Sequence, residues 1–158
     1  MKFICSLITV SEIKRSRDFY ENLLNQKVKF DFGENVTFEG GFAIHLKSHF
    51  QKLIDKEIKN CCNNFELYFE YDNLDQVVSN LNNHGVSFIH EIKEQPWKQK
   101  VVRFYDPDEN IIEIGESMEH LSYRLHEEGI NSDKIAELTG IPKDFIVKSI
   151  AMYDTNGH

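Results

Sequence analysis

Apolar residues fall into short β-rich runs separated by two stretches of helical spacing. "FICSLITV" (Phe3 to Val10) is apolar and β-branched, which predicts a strand buried on both faces. Ser11 reads as a helix cap, and Glu12 to Leu24 places Ile13, Phe19, Tyr20, Leu23 and Leu24 near helical spacing before a left-handed stop at Asn25. "KVKFDF", "NVTFEG" and "GFAIHLK" follow as three strands of a meander, cut by "GEN" and "GG". Ser48 to Asn64 is polar with a weak helical pattern and suits a connection.

The same order then returns. Strand "FELYFEY" leads to helix "DNLDQVVSNLNNHG", with Asp72 as cap and Gly85 as stop. Strands "VSFIHEI", "KVVRFY" and "NIIEIGE" complete it, the last two joined across "DPDE". Two βαβββ units of roughly 55 to 60 residues predict an α+β fold in which paired modules form a curved mixed-sheet cup, with function sought in the concavity. Three further helices are predicted after Glu116, with Gly129 and Gly140 as stops and Pro142 in a first turn. Residues 132–150 resemble the two-helix core of a helix-turn-helix.

Composition narrows the partners. A formal charge of -8 disfavours nucleic acid and anionic membrane, since the cationic surplus such binders need is missing. From Met118 onward four Lys and Arg face seven Asp and Glu, so the helical tail reads as a packing or dimer-capping extension. No run approaches the roughly 20 apolar residues of a membrane span, and the N-terminal apolar run is too short for a signal peptide, which makes the cytoplasm the expected location. Three cysteines, Cys5, Cys61 and Cys62, make a disulfide framework improbable, and the adjacent pair reads as reduced thiols in an Asn-rich loop.

With the repeat in place, "LITVSEIKRSRDFYENLLNQKV" and "VVRFYDPDENIIEIGE" resemble the vicinal oxygen chelate superfamily of glyoxalase I, bleomycin-resistance proteins, fosfomycin-resistance enzymes and extradiol dioxygenases. The resemblance covers Met1 to Glu116, in modules of about residues 1–50 and 64–116, and leaves 117–158 as a helical extension. Its most specific pieces are Arg15-Ser16, Phe19-Tyr20 and Leu24 in the first helix, and the Asp106-Pro107-Asp108 turn before an "IxEI" strand. The family usually continues that turn with Gly-Asn, whereas here Glu109 precedes Asn110. Pro107, Asp106 and Asn110 are turn-forming types, so the motif itself reads as structural.

The resemblance implies metal ligands at Cys5, His45, Glu66 and Glu113. Strand alternation is consistent with it, because His45 opposes Phe42, Ile44 and Leu46, Glu113 opposes Ile112 and Ile114, and Cys5 opposes Ile4 and Ile8. Glu66, Tyr68 and Glu70 likewise oppose a greasy face of Phe65, Leu67, Phe69 and Tyr71. Such a set suits a divalent ion, Zn, Ni, Mn or Fe. Competing readings stand beside it: a salt bridge from Glu113 to Arg103 on the preceding strand, and a core thiol at Cys5. His49, His84, His90, His120, His126 and His158 read as surface residues, and Trp97 either closes over a ligand or plugs a sheet edge.

Two functional expectations follow. One is a metal-dependent lyase, isomerase or dioxygenase acting on a small oxygenated metabolite, with Glu113 and Glu66 catalytic and Arg103 holding an anionic substrate. The other is a metal-free small-molecule-binding protein of the drug-resistance type, in which Tyr68, Tyr105 and Trp97 supply stacking surface. The family's habit of pairing modules makes a homodimer the expected assembly. A regulator acting through the helical tail is the third reading.

Overall fold

The computed structural model describes residues 2–59 and 63–156, so Cys61, Cys62 and His158 lie outside the described residues. The chain is α+β and divides into two compact units: the first is 1–66 with 105–111, the second 67–104 with 112–158. Each carries a four-stranded sheet.

In the first unit, β1 (Ser6–Val10), β2 (Val28–Asp31), β3 (Asn35–Phe38) and β4 (Phe42–Leu46) order as β1-β4-β3-β2. β1 runs parallel to β4, and β2, β3 and β4 form the antiparallel meander that their turns predict. The sheet buries Ile8, Val10, Val36, Phe38, Phe42 and Ile44, and Phe38 stacks on Phe42 with centroids 4.6 Å apart. Tyr20 closes that cluster at 5.7 Å from Phe38 and 5.1 Å from Phe42.

Three expectations are corrected here. The first strand is not Phe3 to Val10 buried on both faces. Its ladder begins where Ser6 meets Phe42, and Phe3 and Ile4, which precede it, are 79% and 72% exposed. The partner is short because Gly40 and Gly41 turn the chain before β4. Ser11 does not cap the first helix, α1 (Ile13–Asp18); Glu12 occupies that position while Ser11 bonds to Asp108. Nor does the helix run unbroken to Leu24, because a π-helical turn takes over at Phe19–Leu23 and ends before Asn25, whose φ of 51° is the predicted left-handed stop.

The polar connection becomes α2 (Lys47–Ile54). In the second unit, β5 (Glu66–Glu70), β6 (Phe88–Glu94), β7 (Lys100–Tyr105) and β8 (Ile111–Gly115) order as β5-β8-β7-β6, repeating the first sheet's topology. α3 (Leu74–Asn83) lies between β5 and β6. Its cap is Asn73, not Asp72: the Asn73 side chain accepts from the Gln76 N–H, and Asp72 instead accepts from the Ser117 N–H and the Tyr153 hydroxyl.

Three helices follow the last strand: α4 (Met118–Glu127), α5 (Ser132–Thr139) and α6 (Lys143–Asn156). Leu121, Leu125, Ile135, Ile141, Ile146 and Ile150 pack into a core of their own within the second unit. No helix among the described residues is long and apolar enough to cross a membrane.

Candidate functional site

β7 and β8 are neighbours in the second sheet, and they bring Arg103 and Glu113 together as an ion pair. Glu113 is 5% exposed, so its charge would be costly without a partner. The guanidinium is itself oriented: Arg103 Nη1 lies 3.3 Å from His90 Nε2, and His90 Nδ1 lies 2.8 Å from the Glu91 carbonyl oxygen. A carbonyl can only accept, so Nδ1 carries the proton and Nε2 accepts from Arg103. His90 therefore positions the pair. The sequence reading placed it on the surface; the signal it missed is the β6–β7 register that sets His90 opposite Arg103.

Beside this pair, one buried amide ties two aromatics. Gln99 is 3% exposed; its Nε2 donates to the Tyr68 hydroxyl at 2.9 Å and to the Glu116 carbonyl at 2.8 Å, and its Oε1 accepts from Trp97 Nε1 at 3.0 Å. The Tyr68 hydroxyl donates to Glu70 at 3.0 Å. Burial pushes the Tyr68 phenol up to about 12, helped by Glu70 and the charge of Glu113 and opposed by the Gln99 hydrogen bond, so it stays a neutral donor. Tyr68 and Trp97 nevertheless keep 45% and 41% of their surfaces exposed. Gly115 makes room for the network: a Cβ there would sit 2.7 Å from Gln99 Nε2 and 3.2 Å from the Tyr68 ring.

The alternation expected for β5 holds in part. Glu66, Tyr68 and Glu70 are exposed and Leu67 is buried, but Phe65 and Tyr71 are exposed too, so the greasy face is limited to Leu67 and a half-buried Phe69. Tyr105, at the end of β7, is half-buried and falls in the first unit, as does Glu66.

In the first unit, His45 is buried between β3 and a helix. Asn35, its register partner on β3, places Nδ2 3.1 Å from His45 Nδ1. His45 Nε2 lies 2.9 Å from Nδ1 of His49 on α2, whose Nε2 faces Glu34 at 3.4 Å. An amide donor on Nδ1 leaves the His45 proton on Nε2, so a directed chain runs Asn35, His45, His49, Glu34. Burial lowers the His45 pKa, and His49 lowers it further against an opposing effect of Glu34. His45 is thus a neutral imidazole with both nitrogens engaged.

Three of the four residues that the resemblance implies as ligands have other surroundings here. His45 is spent on Asn35 and His49, Glu113 on Arg103, and Cys5 precedes β1 instead of lying within it. Among the described residues, no group of three or more His, Cys, Asp or Glu side chains could hold a metal.

The two motifs that carry the family resemblance meet within the first unit. Asp108 accepts from the Ser11 N–H at 2.9 Å, from the Ser11 and Ser16 hydroxyls, and pairs with Arg15 at 3.0 Å. Burial alone would raise the Asp108 pKa, but Ser11 and Arg15 hold it below the ordinary carboxylate value. Asp106, 4% exposed, accepts from the Tyr20 hydroxyl at 2.8 Å and from the backbone of Asp108 and Asn110.

Comparison with known proteins finds the same fold. The profile of the glyoxalase-like domain matches residues 3–119. A crystal structure of a protein of unknown function from Agrobacterium tumefaciens str. C58 is 39% identical, with a TM-score of 0.67, over 75% of this chain and 95% of that one. A member of the glyoxalase/bleomycin resistance protein/dioxygenase superfamily from Sphaerobacter thermophilus is 25% identical with a TM-score of 0.59, over 74% and 98% of the two chains. The uncharacterized protein YraH of Bacillus subtilis is 29% identical over 126 residues, 72% of this chain and 97% of its own. The chain belongs to the glyoxalase-like family, within the glyoxalase/bleomycin resistance/dioxygenase superfamily.

Proposed function

We propose that the protein binds a small organic molecule without a resident metal, in the manner of the drug-resistance members of its superfamily. The observation that carries this reading is the Arg103–Glu113 ion pair, which occupies the carboxylate that the family resemblance implies as a metal ligand. With that charge neutralised, what the second unit offers is two half-exposed aromatic surfaces, Tyr68 and Trp97, fixed by one buried amide, with the Glu70 carboxylate alongside. Such a surface suits a planar, neutral or cationic ligand that stacks on aromatics. A homodimer, the common family assembly, is part of this proposal and is read by light scattering.

Elemental analysis of protein purified without chelator or a metal-affinity step tests the metal half of the proposal. The expected result is no stoichiometric metal, unchanged after exposure to Zn, Ni, Mn or Fe under reducing conditions. A Glu113→Gln variant should be less stable by about 1–3 kcal/mol, because Arg103 loses its partner. Stoichiometric metal in the parent that disappears in Glu113→Gln would overturn the proposal in favour of a metal-dependent lyase, isomerase or dioxygenase, with Glu113 and Glu66 at its centre. Trp97 is the single tryptophan, so its fluorescence reports ligand directly. Quenching by planar organic cations should be strong in the parent and weak in Tyr68→Leu.

A further inference from the structure

Register sets Thr9 of β1, His45 of β4 and Asn35 of β3 side by side on one face of the first sheet, opposite the face on which Ile8, Ile44 and Val36 enter the core. Thr9 also lines a cleft of about 470 Å³, whereas His45 does not and is only 7% exposed. What covers His45 is α2. His49 and Phe50 of that helix lie against the imidazole, with ring centroids 5.1 and 5.3 Å from it, and the first residue of the helix, Lys47, borders the same cleft.

The helix is lightly anchored. Its 8 residues are too few to persist without docking, since isolated helices shorter than about 12–15 residues are marginal in water. It has no side-chain N-cap and no buried residue, and its apolar Leu53 and Ile54 stay 62% and 41% exposed. No loop joins it to β4: Leu46 ends the strand and flanks the helix, so a change of backbone angle at that residue swings the whole element. On His45 the helix is fastened by the bond from Nε2 to His49 Nδ1 at 2.9 Å and by the Phe50 ring, and on its outer side His49 faces the exposed Glu34 at 3.4 Å.

We infer that α2 is a lid over a second ligand site: lifting it uncovers the row of Thr9, His45 and Asn35, extends the cleft onto His45, and admits a small neutral molecule that carries a hydrogen-bond acceptor. The acceptor follows from the closed state. With Asn35 donating to Nδ1, the His45 proton points from Nε2 to His49, whose Nδ1 fills the place of an incoming acceptor atom. Such a site exists as a minor conformation that its ligand makes dominant. It shares no residue with the Tyr68, Trp97 and Gln99 surface and stands independently of that reading.

Hydrogen exchange on the full chain tests the lid. Amides of residues 51–54 should exchange about a hundredfold faster, relative to their intrinsic rates, than those of residues 43–45 in β4. Equal protection would mean that α2 opens only with the whole unit, and would overturn the inference. Carbethoxylation by diethyl pyrocarbonate, read at each histidine by peptide mass spectrometry, then measures access to His45 against the exposed His126. Phe50→Ala should raise the His45 rate about tenfold relative to His126, and an unchanged rate in the folded variant would overturn the lid. Hydrogen exchange needs no variant, so it decides the matter if Phe50→Ala misfolds. Imidazole is the ligand probe: its acceptor nitrogen should take the vacated place in His49→Ala and shift the His45 ring resonances. Resonances that do not move would overturn the ligand assignment.

Discussion

Glu109 stands where the family usually has glycine, and its backbone shows why: its φ is 64°, in the left-handed region that disfavours a side chain. The turn holds it there through its N–H to the Asp106 carbonyl at 3.1 Å and through Asp106's grip on Asn110. Relieving a strain of about 1–2 kcal/mol, less the extra freedom glycine gives the unfolded chain, should leave Glu109→Gly more stable by about 0.5–1 kcal/mol. A urea titration decides it: an unchanged or lower midpoint would mean that contacts of the Glu109 side chain outweigh the strain. At this scale the sequence was partly readable. The Arg103–Glu113 pair follows from two adjacent strands and alternation. His49, His90 and Gln99 were not readable, because each acquires its role from a partner on another element, and one-dimensional spacing does not show which residues a register sets side by side.

Among the elements, α4 is fastened to the second sheet by a single buried carboxylate. Glu116 is 1% exposed and accepts from the Lys100 N–H at 2.8 Å, from His120 at 2.9 Å, and from Arg124 at 2.7 and 3.0 Å. Burial favours protonation, but the bonds from His120, Arg124 and the Lys100 backbone prevail and hold the pKa at about 2, below the ordinary 4.5. A lowered folded value means the stabilisation is full above pH 4.5 and is lost as pH falls toward 2, on the order of 2–3 kcal/mol. Glu116→Gln should lower stability at pH 7 by about 2–4 kcal/mol by stranding Arg124, and should flatten the acid limb of a stability–pH curve. A variant whose acid limb matches the parent's would remove Glu116 as its source. Strand and helix order was legible because alternation and spacing are local signals. Caps were less so: Ser11 and Asp72 look like caps, and both were drawn to distant partners that no local window contains.

Across the whole molecule, the repeated order β1-β4-β3-β2 and β5-β8-β7-β6 was the most legible feature, since two copies of one pattern reinforce each other. The family profile ends at residue 119, so most of the three-helix segment lies beyond it, with its own buried cluster inside the second unit. A chain ending at Gly140 would uncover Leu121, Leu125 and Ile135 by losing Ile146 and Ile150. We expect it to bind a hydrophobic dye and to melt without a cooperative transition; a sharp melt within a few degrees of the parent would show that α6 is dispensable. Both units are discontinuous, and the first is completed by residues 105–111. Ser11, Ser16 and Tyr20 find their acceptors 97, 92 and 86 residues further along. During synthesis the chain is delivered N-terminus first, so α1 leaves the ribosome long before Asp106 and Asp108 exist. The N-terminal module is therefore first to be made yet cannot finish folding until residues 105–111 follow it, and any nascent chain shorter than 106 residues carries the Tyr20 hydroxyl with no Asp106 to receive it.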